Sequence, residues 1–173
     1  KLDFRYSQDI VWEKQNGTGF HADRFRRVHE HAVMFYRGAW SEVYHQPQFT
    51  NDATARTVRR KTRPTHTGHI ENGAYTSEDG GPRLQRSVLK VANEHGRAIH
   101  PTQKPLGIIA PLVRYSVPPG GSYVVPFAGS GSELMVALAD GLDATGVELD
   151  PAYAAMAQAR IDDDAPLFAE HAA

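Results

Sequence analysis

The 173-residue chain predicts an α/β fold, a mostly parallel sheet flanked by helices, and three observations carry that prediction. Residues 122–161 alternate strand and helix through "SYVVPF", "SELMVALADG", "ATGVEL" and "DPAYAAMAQARI". Strands separated by a helix pair in parallel, with a right-handed crossover between them. The first of these strands runs directly into Ala128-Gly129-Ser130-Gly131, a turn that lets backbone approach a ligand and aims helix N–H groups at it. Two short apolar runs near the start, "DIVWEK" (Asp9 to Lys14) and "HAVMFYRG" (His31 to Gly38), supply further strands and read as buried.

Each element of the back segment has its own signal. Pro105 suits the first position of a helix whose Ile108, Ile109, Leu112 and Val113 share a face. Pro111 inside that run implies a kink or a later start. "SVPPGG" is a turn, the next helix ends at Gly141, and the last has Asp150 as N-cap with Pro151 at its first position. The acidic end, "DDDAPLFAEHAA", reads as a flexible tail over 163–173.

From about Tyr44 to Arg97 the pattern dissolves into Thr, Arg, Gly, Asn and His with no sustained period. A stretch of that length inside a domain marks a functional insertion or a mobile region. Its densest charge is "RTVRRKTR" (Arg56 to Arg63), five basic residues in eight without an acid. The organisation expected is therefore front strands over 1–43, an insertion over 44–98, a ligand-binding segment over 99–162 and the tail.

Composition narrows the classes. No apolar run reaches the length of a membrane span and no signal peptide opens the chain, so no membrane partner is expected. Without cysteine there are no disulfides or thiolate metal sites, which fits a reducing, cytoplasmic interior. The first residue is Lys1, which fits a chain that begins partway into a larger product. Net charge is −1, yet residues 1–100 hold 16 Lys/Arg against 11 Asp/Glu, and residues 101–173 hold 3 against 9. The front can face a polyanion. The histidine pairs His29/His31 and His66/His69 lack the helix or strand context of a metal site, and no metal is expected.

Glu148, seventeen residues after Gly131 and at the end of the next strand, sits where a carboxylate accepts both hydroxyls of a ribose. The residue three after Gly131 is Leu134, not the Gly or Ala of a pyrophosphate fingerprint, and no Gly-Lys-Ser/Thr follows. A nucleoside cofactor without phosphates fits better, and S-adenosylmethionine is the common one.

"HPTQKP" (His100 to Pro105), "PFAGSG" (Pro126 to Gly131) and "GVELDPAYAAMAQARI" together resemble the DNA amino-methyltransferases of the permuted beta order. "DIVWEKQNGTGFHADRFRRVHEHAVMFYRG" is similar to that family's W-x-K … R-x-H-E … F stretch. The resemblance covers roughly 9–38 and 81–161. It implies a Rossmann-like methyltransferase fold and methyl transfer to the exocyclic amine of adenine (N6) or cytosine (N4), with adenine the commoner target. In that order the cofactor motifs follow the catalytic and target-recognition regions, which is why the glycine turn lies late.

Carried over by position, the resemblance puts Pro126, Phe127, Gly129, Ser130 and Gly131 in the cofactor pocket, with Glu148 on the ribose. Asp150 or Pro151 would lie near the adenine, and Thr102 and Lys104 would reach the methionine carboxylate. His100 and the His29–Glu30 pair would act as braces. Arg56, Arg59, Arg60, Lys61 and Arg63 become the candidates for phosphate contacts to double-stranded DNA.

Two departures stand out. Val125 occupies the place of an acid that usually precedes "PF", with Glu133 a potential substitute. The family's Asp/Asn/Ser-Pro-Pro-aromatic tetrapeptide is absent from residues 1–173, so the catalytic residues are unknown. A non-catalytic DNA-binding module and, more remotely, a dinucleotide oxidoreductase stay open as alternatives. A homodimer is also left open.

Overall fold

Alternating side chains in the first forty residues build a long hairpin. The computed structural model describes residues 3–18, 21–59 and 74–169, with side chains given except at 18 and 165–169. Strand β1 (Arg5–Thr18) pairs antiparallel with β2 (Arg27–Tyr36), setting Ile10 opposite Ala32 and Trp12 opposite Glu30. Among the described side chains of these two strands only Trp12 is buried, and Val33 and Phe35 are exposed, which corrects the expectation of two buried runs. Along β2 exposed and half-buried side chains alternate from Glu30 to Tyr36, the pattern of a strand covered on one face.

The patternless middle resolves into short antiparallel ribbons. Strand β3 (Phe49–Thr50) pairs with a later β6 (Arg83–Leu84), and β4 (Arg56–Arg59) pairs with β5 (Ala74–Ser77). These strands lie in a compact unit of their own, Pro47–Gln85. Asp79 braces it by accepting from the Ala55 N–H at 2.6 Å. Pairs of two to four residues carry almost no periodicity, which is why the sequence shows none.

The other unit joins Lys1–Gln46 with Arg86–Ala173. There β7 (Val88–Lys90) adds in parallel to β1, with Leu89 beside Trp12. This strand lies inside the range 44–98 yet belongs to the front sheet, whose order is β2-β1-β7. Helix α1 (Leu106–Ser116) follows with Pro105 as its N-cap, one position outside the expected place. Pro111 sits within α1, and the helix continues past it. The intrahelical bond that Pro111 cannot make is the one to Gly107, in the first turn, where little of the ladder depends on it.

Strand β8 (Ser122–Val125), helix α2 (Ser132–Asp140) and β9 (Asp143–Gly146) form the expected crossover, and β8 and β9 pair in parallel. Gly141, with φ 64°, caps α2 by donating to the Ala137 and Leu138 carbonyls. Helix α3 (Pro151–Ala169) continues through most of the range expected to be a flexible tail. Its alanines are strong helix formers, and Gln158 donates to Asp162 one turn on at 2.7 Å.

Helix α1 ties this unit together. Its Ile108 packs with Trp12 and Leu89 under the front sheet, while Ile109 and Val113 pack with Val136 of α2. The Trp12 indole N–H donates to the Val91 carbonyl at 2.8 Å, so this buried aromatic has its polar atom paired. Met135 of α2 is 2% exposed and anchors the core behind the glycine turn.

Candidate functional site

The site grows from the carboxyl ends of β8 and β9, where ligands settle in parallel α/β sheets. After β8 the chain turns through Gly129 (φ 51°) and Gly131 (φ 72°), a left-handed geometry that a side chain would strain. The Gly131 N–H closes the turn on the Ala128 carbonyl at 2.8 Å, and the Gly131 carbonyl accepts from Met135 to begin α2. A Cβ on Gly131 would also stand 3.2 Å from the Cβ of Ala157, so α3 packs directly on the turn.

Glu148, two residues past β9, reaches back to this turn. Its Oε2 accepts from the Gly129 N–H at 2.8 Å and its Oε1 from the Asp150 N–H at 3.1 Å. The Asp150 N–H, and then that of Gly129, hold this carboxyl below the usual carboxylate range. The Leu149 backbone N–H also pulls on this carboxylate, whose remaining lone pairs can accept from a ligand hydroxyl. The role expected for Glu148 thus shares the carboxylate with a structural one: it fixes the glycine turn. Asp150 caps α3 as expected, accepting from Ala152 at 2.8 Å. Phe127 (90% exposed) and Leu149 (97% exposed) flank the turn as bare apolar side chains.

The "HPTQKP" loop closes on the same turn. The imidazole of His100 lies 3.4 Å from where a Gly129 Cβ would be, and its ring meets Tyr153 of α3 edge-on at 4.3 Å. His100 Nδ1 accepts from the Thr102 N–H at 3.2 Å and lies 3.1 Å from the Thr102 hydroxyl, which is the bracing role expected for it. The Ser132 hydroxyl donates to the Lys104 carbonyl at 2.8 Å and lies 3.2 Å from that of buried Ser130. Arg160 of α3 donates to the Ser130 carbonyl at 3.0 Å.

Thr102, Lys104, Pro126, Phe127, Gly129, Ser130, Gly131, Glu148 and Asp150 therefore sit on three converging loops. The sequence reading missed Tyr153, Ala157 and Arg160, which the helical spacing i, i+4, i+7 of α3 already aligns on one face.

Lys104 has partners of its own. Its ammonium donates to the Thr102 carbonyl at 2.9 Å and lies 3.3 Å from Glu30 Oε2, while Lys14 pairs with the other oxygen of Glu30. Burial pushes the Glu30 carboxyl up, but the Lys14 hydrogen bond and the Lys104 charge outweigh it and the net shift is downward. The His29–Glu30 brace thus acts through Glu30, which links the front hairpin to the "HPTQKP" loop.

Lys104, Glu30, Val125 and Glu133 line one groove of about 450 Å³. Burial pushes the Glu133 carboxyl up, against the pull of its own backbone, Lys104 and Arg160. The Tyr123 hydroxyl donates to the Glu133 carbonyl at 2.5 Å, and burial pushes that phenol up to about 12.

The basic cluster of the smaller unit is only partly visible. Arg56 and Arg59 lie exposed on β4, three positions apart and so on opposite faces of the ribbon. Arg60, Lys61 and Arg63 lie outside the described residues, as do His66 and His69. No cluster of potential metal ligands occurs among the described residues, and no helix among them is long and apolar enough to cross a membrane.

A family model described as DNA methylase, of the N6/N4 methyltransferase type, matches residues 1–159. The type II methyltransferase M.XycI of Xanthomonas campestris pv. cyanopsidis is 30% identical over 154 residues, covering 88% of this chain and 43% of the relative. Among solved structures, the M1.HpyAVI–SAM complex superposes with a TM-score of 0.58 at 18% identity, covering 92% of this chain and 63% of that one. The cytosine-N4-specific PvuII DNA methyltransferase gives 0.57 at 14% identity, with 88% and 50% covered. These likenesses establish a Rossmann-like methyltransferase fold. The chain spans less than half the length of the curated relatives it matches.

Proposed function

Because the chain belongs to the N6/N4 DNA methylase family, we propose that it carries the S-adenosylmethionine site and part of the DNA-binding surface of a methyltransferase acting on the N6 amine of adenine in double-stranded DNA. The observation that carries the reading is the Gly129–Gly131 turn, fixed by the Glu148 carboxylate at the ends of two parallel strands. Backbone without side chains lies beside a carboxylate with free lone pairs, and exposed Phe127 and Leu149 stand ready to sandwich a flat ring. Those features suit a nucleoside. A dinucleotide would need a longer glycine fingerprint.

S-adenosylmethionine, when bound, would supply an electrophilic sulfonium methyl carbon: an amine nitrogen attacking it in line would form the N–C bond as the C–S bond breaks, releasing a neutral thioether and one proton from the nitrogen. The chain's own residues bind and orient. Glu148 takes the ribose hydroxyls, and its two backbone hydrogen bonds keep it ionised and immobile. Lys104 offers its ammonium to the amino-acid carboxylate, held on station by Glu30 and the Thr102 carbonyl. Thr102 takes its place beside it through the His100 brace. Val125 leaves the amino-acid ammonium without its usual acid, and Glu133 on the same groove is the nearest carboxyl in sequence.

Arg56 and Arg59, with Arg60, Lys61 and Arg63, serve the DNA phosphates and make binding salt-dependent. The choice of adenine over cytosine rests on the resemblance to the permuted order, and the family itself embraces both amines. The Asp/Asn/Ser-Pro-Pro-aromatic tetrapeptide does not occur within residues 1–173. That absence favours a second reading, a DNA-binding module that retained the fold without the chemistry.

A thermal-melt series separates the two. S-adenosylmethionine and its homocysteine product, but not NAD or ATP, are expected to raise the midpoint, because a ligand that binds only the folded state stabilises it. Failure of all four ligands, with salt-dependent DNA binding intact, gives the module reading. Mass spectrometry of DNA methylated by the product of the natural reading frame then separates N6-methyladenine from N4-methylcytosine.

A further inference from the structure

The connection from β1 to β2 ends in a basic stretch that holds one bare aromatic. Its sequence is Asp23-Arg24-Phe25-Arg26-Arg27, and Arg27, paired with Thr18, is the first residue of β2. Phe25 is fully exposed, at 101%. Its neighbour Arg26 folds back instead, with its aliphatic stem across the Gly17 backbone where a Cβ would overlap it. Burying a phenylalanine ring would stabilise the fold, and no side chain among the described residues does so here. The exposed rings of Tyr6 and Phe35, by contrast, meet edge-on at 6.2 Å and so cover part of each other.

The cations around Phe25 are not equivalent. Arg24 spends its guanidinium on Asp23, through hydrogen bonds of 2.8 and 2.7 Å, so that pair is close to neutral. Arg26 and Arg27 have no acidic partner among the described residues. Arg27 lines a polar pocket of about 330 Å³ together with Lys14, His29, Glu30 and His31. Glu30 is shared there between Lys14 and Lys104, and His31 lies 3.1 Å from Asp9. With neutral imidazoles, Lys14 and Arg27 still outnumber Glu30, so the pocket is net positive and suits an anion.

Glu30, five residues after Phe25, lies 3.3 Å from Lys104 of the "HPTQKP" loop. At roughly 3.4 Å per residue of extended chain, Phe25 stands no more than about 17 Å along the chain from Glu30. The basic stretch and the Lys104 loop therefore share one end of the front sheet. An enzyme that acts on a base inside a duplex takes that base out of the stack, and an apolar side chain inserted between base steps offsets the unstacking. Such a wedge needs a ring that the fold leaves uncovered and cations to hold the flanking phosphates.

On the DNA-methylase reading, on which this inference rests, we propose that Phe25 enters the base stack where the target base leaves it. Arg26 and Arg27 hold the phosphates beside it, Arg27 through the pocket it forms with Lys14 and His29.

The test measures two affinities on each preparation of the protein made from its natural reading frame. One is for a fully paired duplex, the other for the same duplex with a single abasic site, where the stack is already open. The parent is expected to favour the abasic duplex at least about tenfold. Phe25→Ala should lose most of that preference while binding the paired duplex within about threefold of the parent, and Phe25→Leu should keep it. Each preference is a ratio within one preparation, so a partly unfolded sample leaves it unchanged. Arg27→Ala should keep the preference and lower the slope of log affinity against log salt by about 1. An unchanged slope removes the phosphate contact. Equal binding of both duplexes by the parent, or a preference that survives Phe25→Ala, overturns the wedge and leaves the methylase reading standing. Binding to neither duplex fails that reading and the wedge with it. A lower melting midpoint for Phe25→Ala without DNA makes Phe25 a packing residue and also overturns the inference.

Discussion

The two sheets of the larger unit differ in how much of their own structure they contain. The back one, β8 and β9 with α2 and α3, is held from within: Met135, Val136 and Ala137 are almost wholly buried, and the glycine turn is tied to Glu148, the Lys104 loop and Arg160. The front one, β2-β1-β7, buries Trp12 and Leu89 against α1 and leaves Val33, Phe35 and Val88 in solvent on its other face. A binding site needs atoms held to within fractions of an ångström, and dense local packing supplies that. A sheet that only frames the site can leave a face bare.

Substitutions sharpen or break that contrast. The largest effect is expected for Met135→Ala, which removes a side chain 2% exposed and is expected to cost about 2–5 kcal/mol, read by urea unfolding. Gly131→Ala comes next. A Cβ at φ 72° costs about 1–2 kcal/mol. The new methyl also meets Ala157, so S-adenosylmethionine should lose its effect on the melting midpoint as well.

Glu133→Gln tests the groove beside the turn. Burial raises the folded pKa of Glu133 above its unfolded value, so its contribution is fully present below the ordinary carboxylate range and is lost as pH rises through the folded pKa. The glutamine variant should therefore gain stability relative to the parent as pH rises from the ordinary glutamate pKa of about 4.3 through the raised folded one. A difference that stays flat with pH would remove the buried carboxyl from this account.

The smallest effect belongs to the front sheet. Phe35→Ser, at a side chain 56% exposed, should change the stability of residues 1–173 by less than about 0.5 kcal/mol. A cost approaching that of Met135→Ala would mean the front face is covered after all, and the contrast between the sheets would fail.

Much of this was legible beforehand, for local reasons. The crossover from β8 to α3 announces itself because periodicity, Gly141 and the Asp150–Pro151 start are all signals between near neighbours. The glycine turn and the acid after the next strand are legible for the same reason. The helix over 163–169 departs from the expected tail because an acidic run signals solvent exposure and does not by itself end a helix. The strands of Pro47–Gln85 are too short to show a period.

By itself the sequence determined the α/β order, the glycine turn with its distant acid, and the residue types that suit a nucleoside. Those follow from backbone preferences and spacing, which act over a few residues. Only the tertiary structure decided that Glu148 spends part of its carboxylate on the Gly129 amide, and that Glu30 holds Lys104. It alone placed Arg160 on the back of the turn. Each of these joins residues far apart in the chain, and no local preference encodes which distant group will meet a free lone pair.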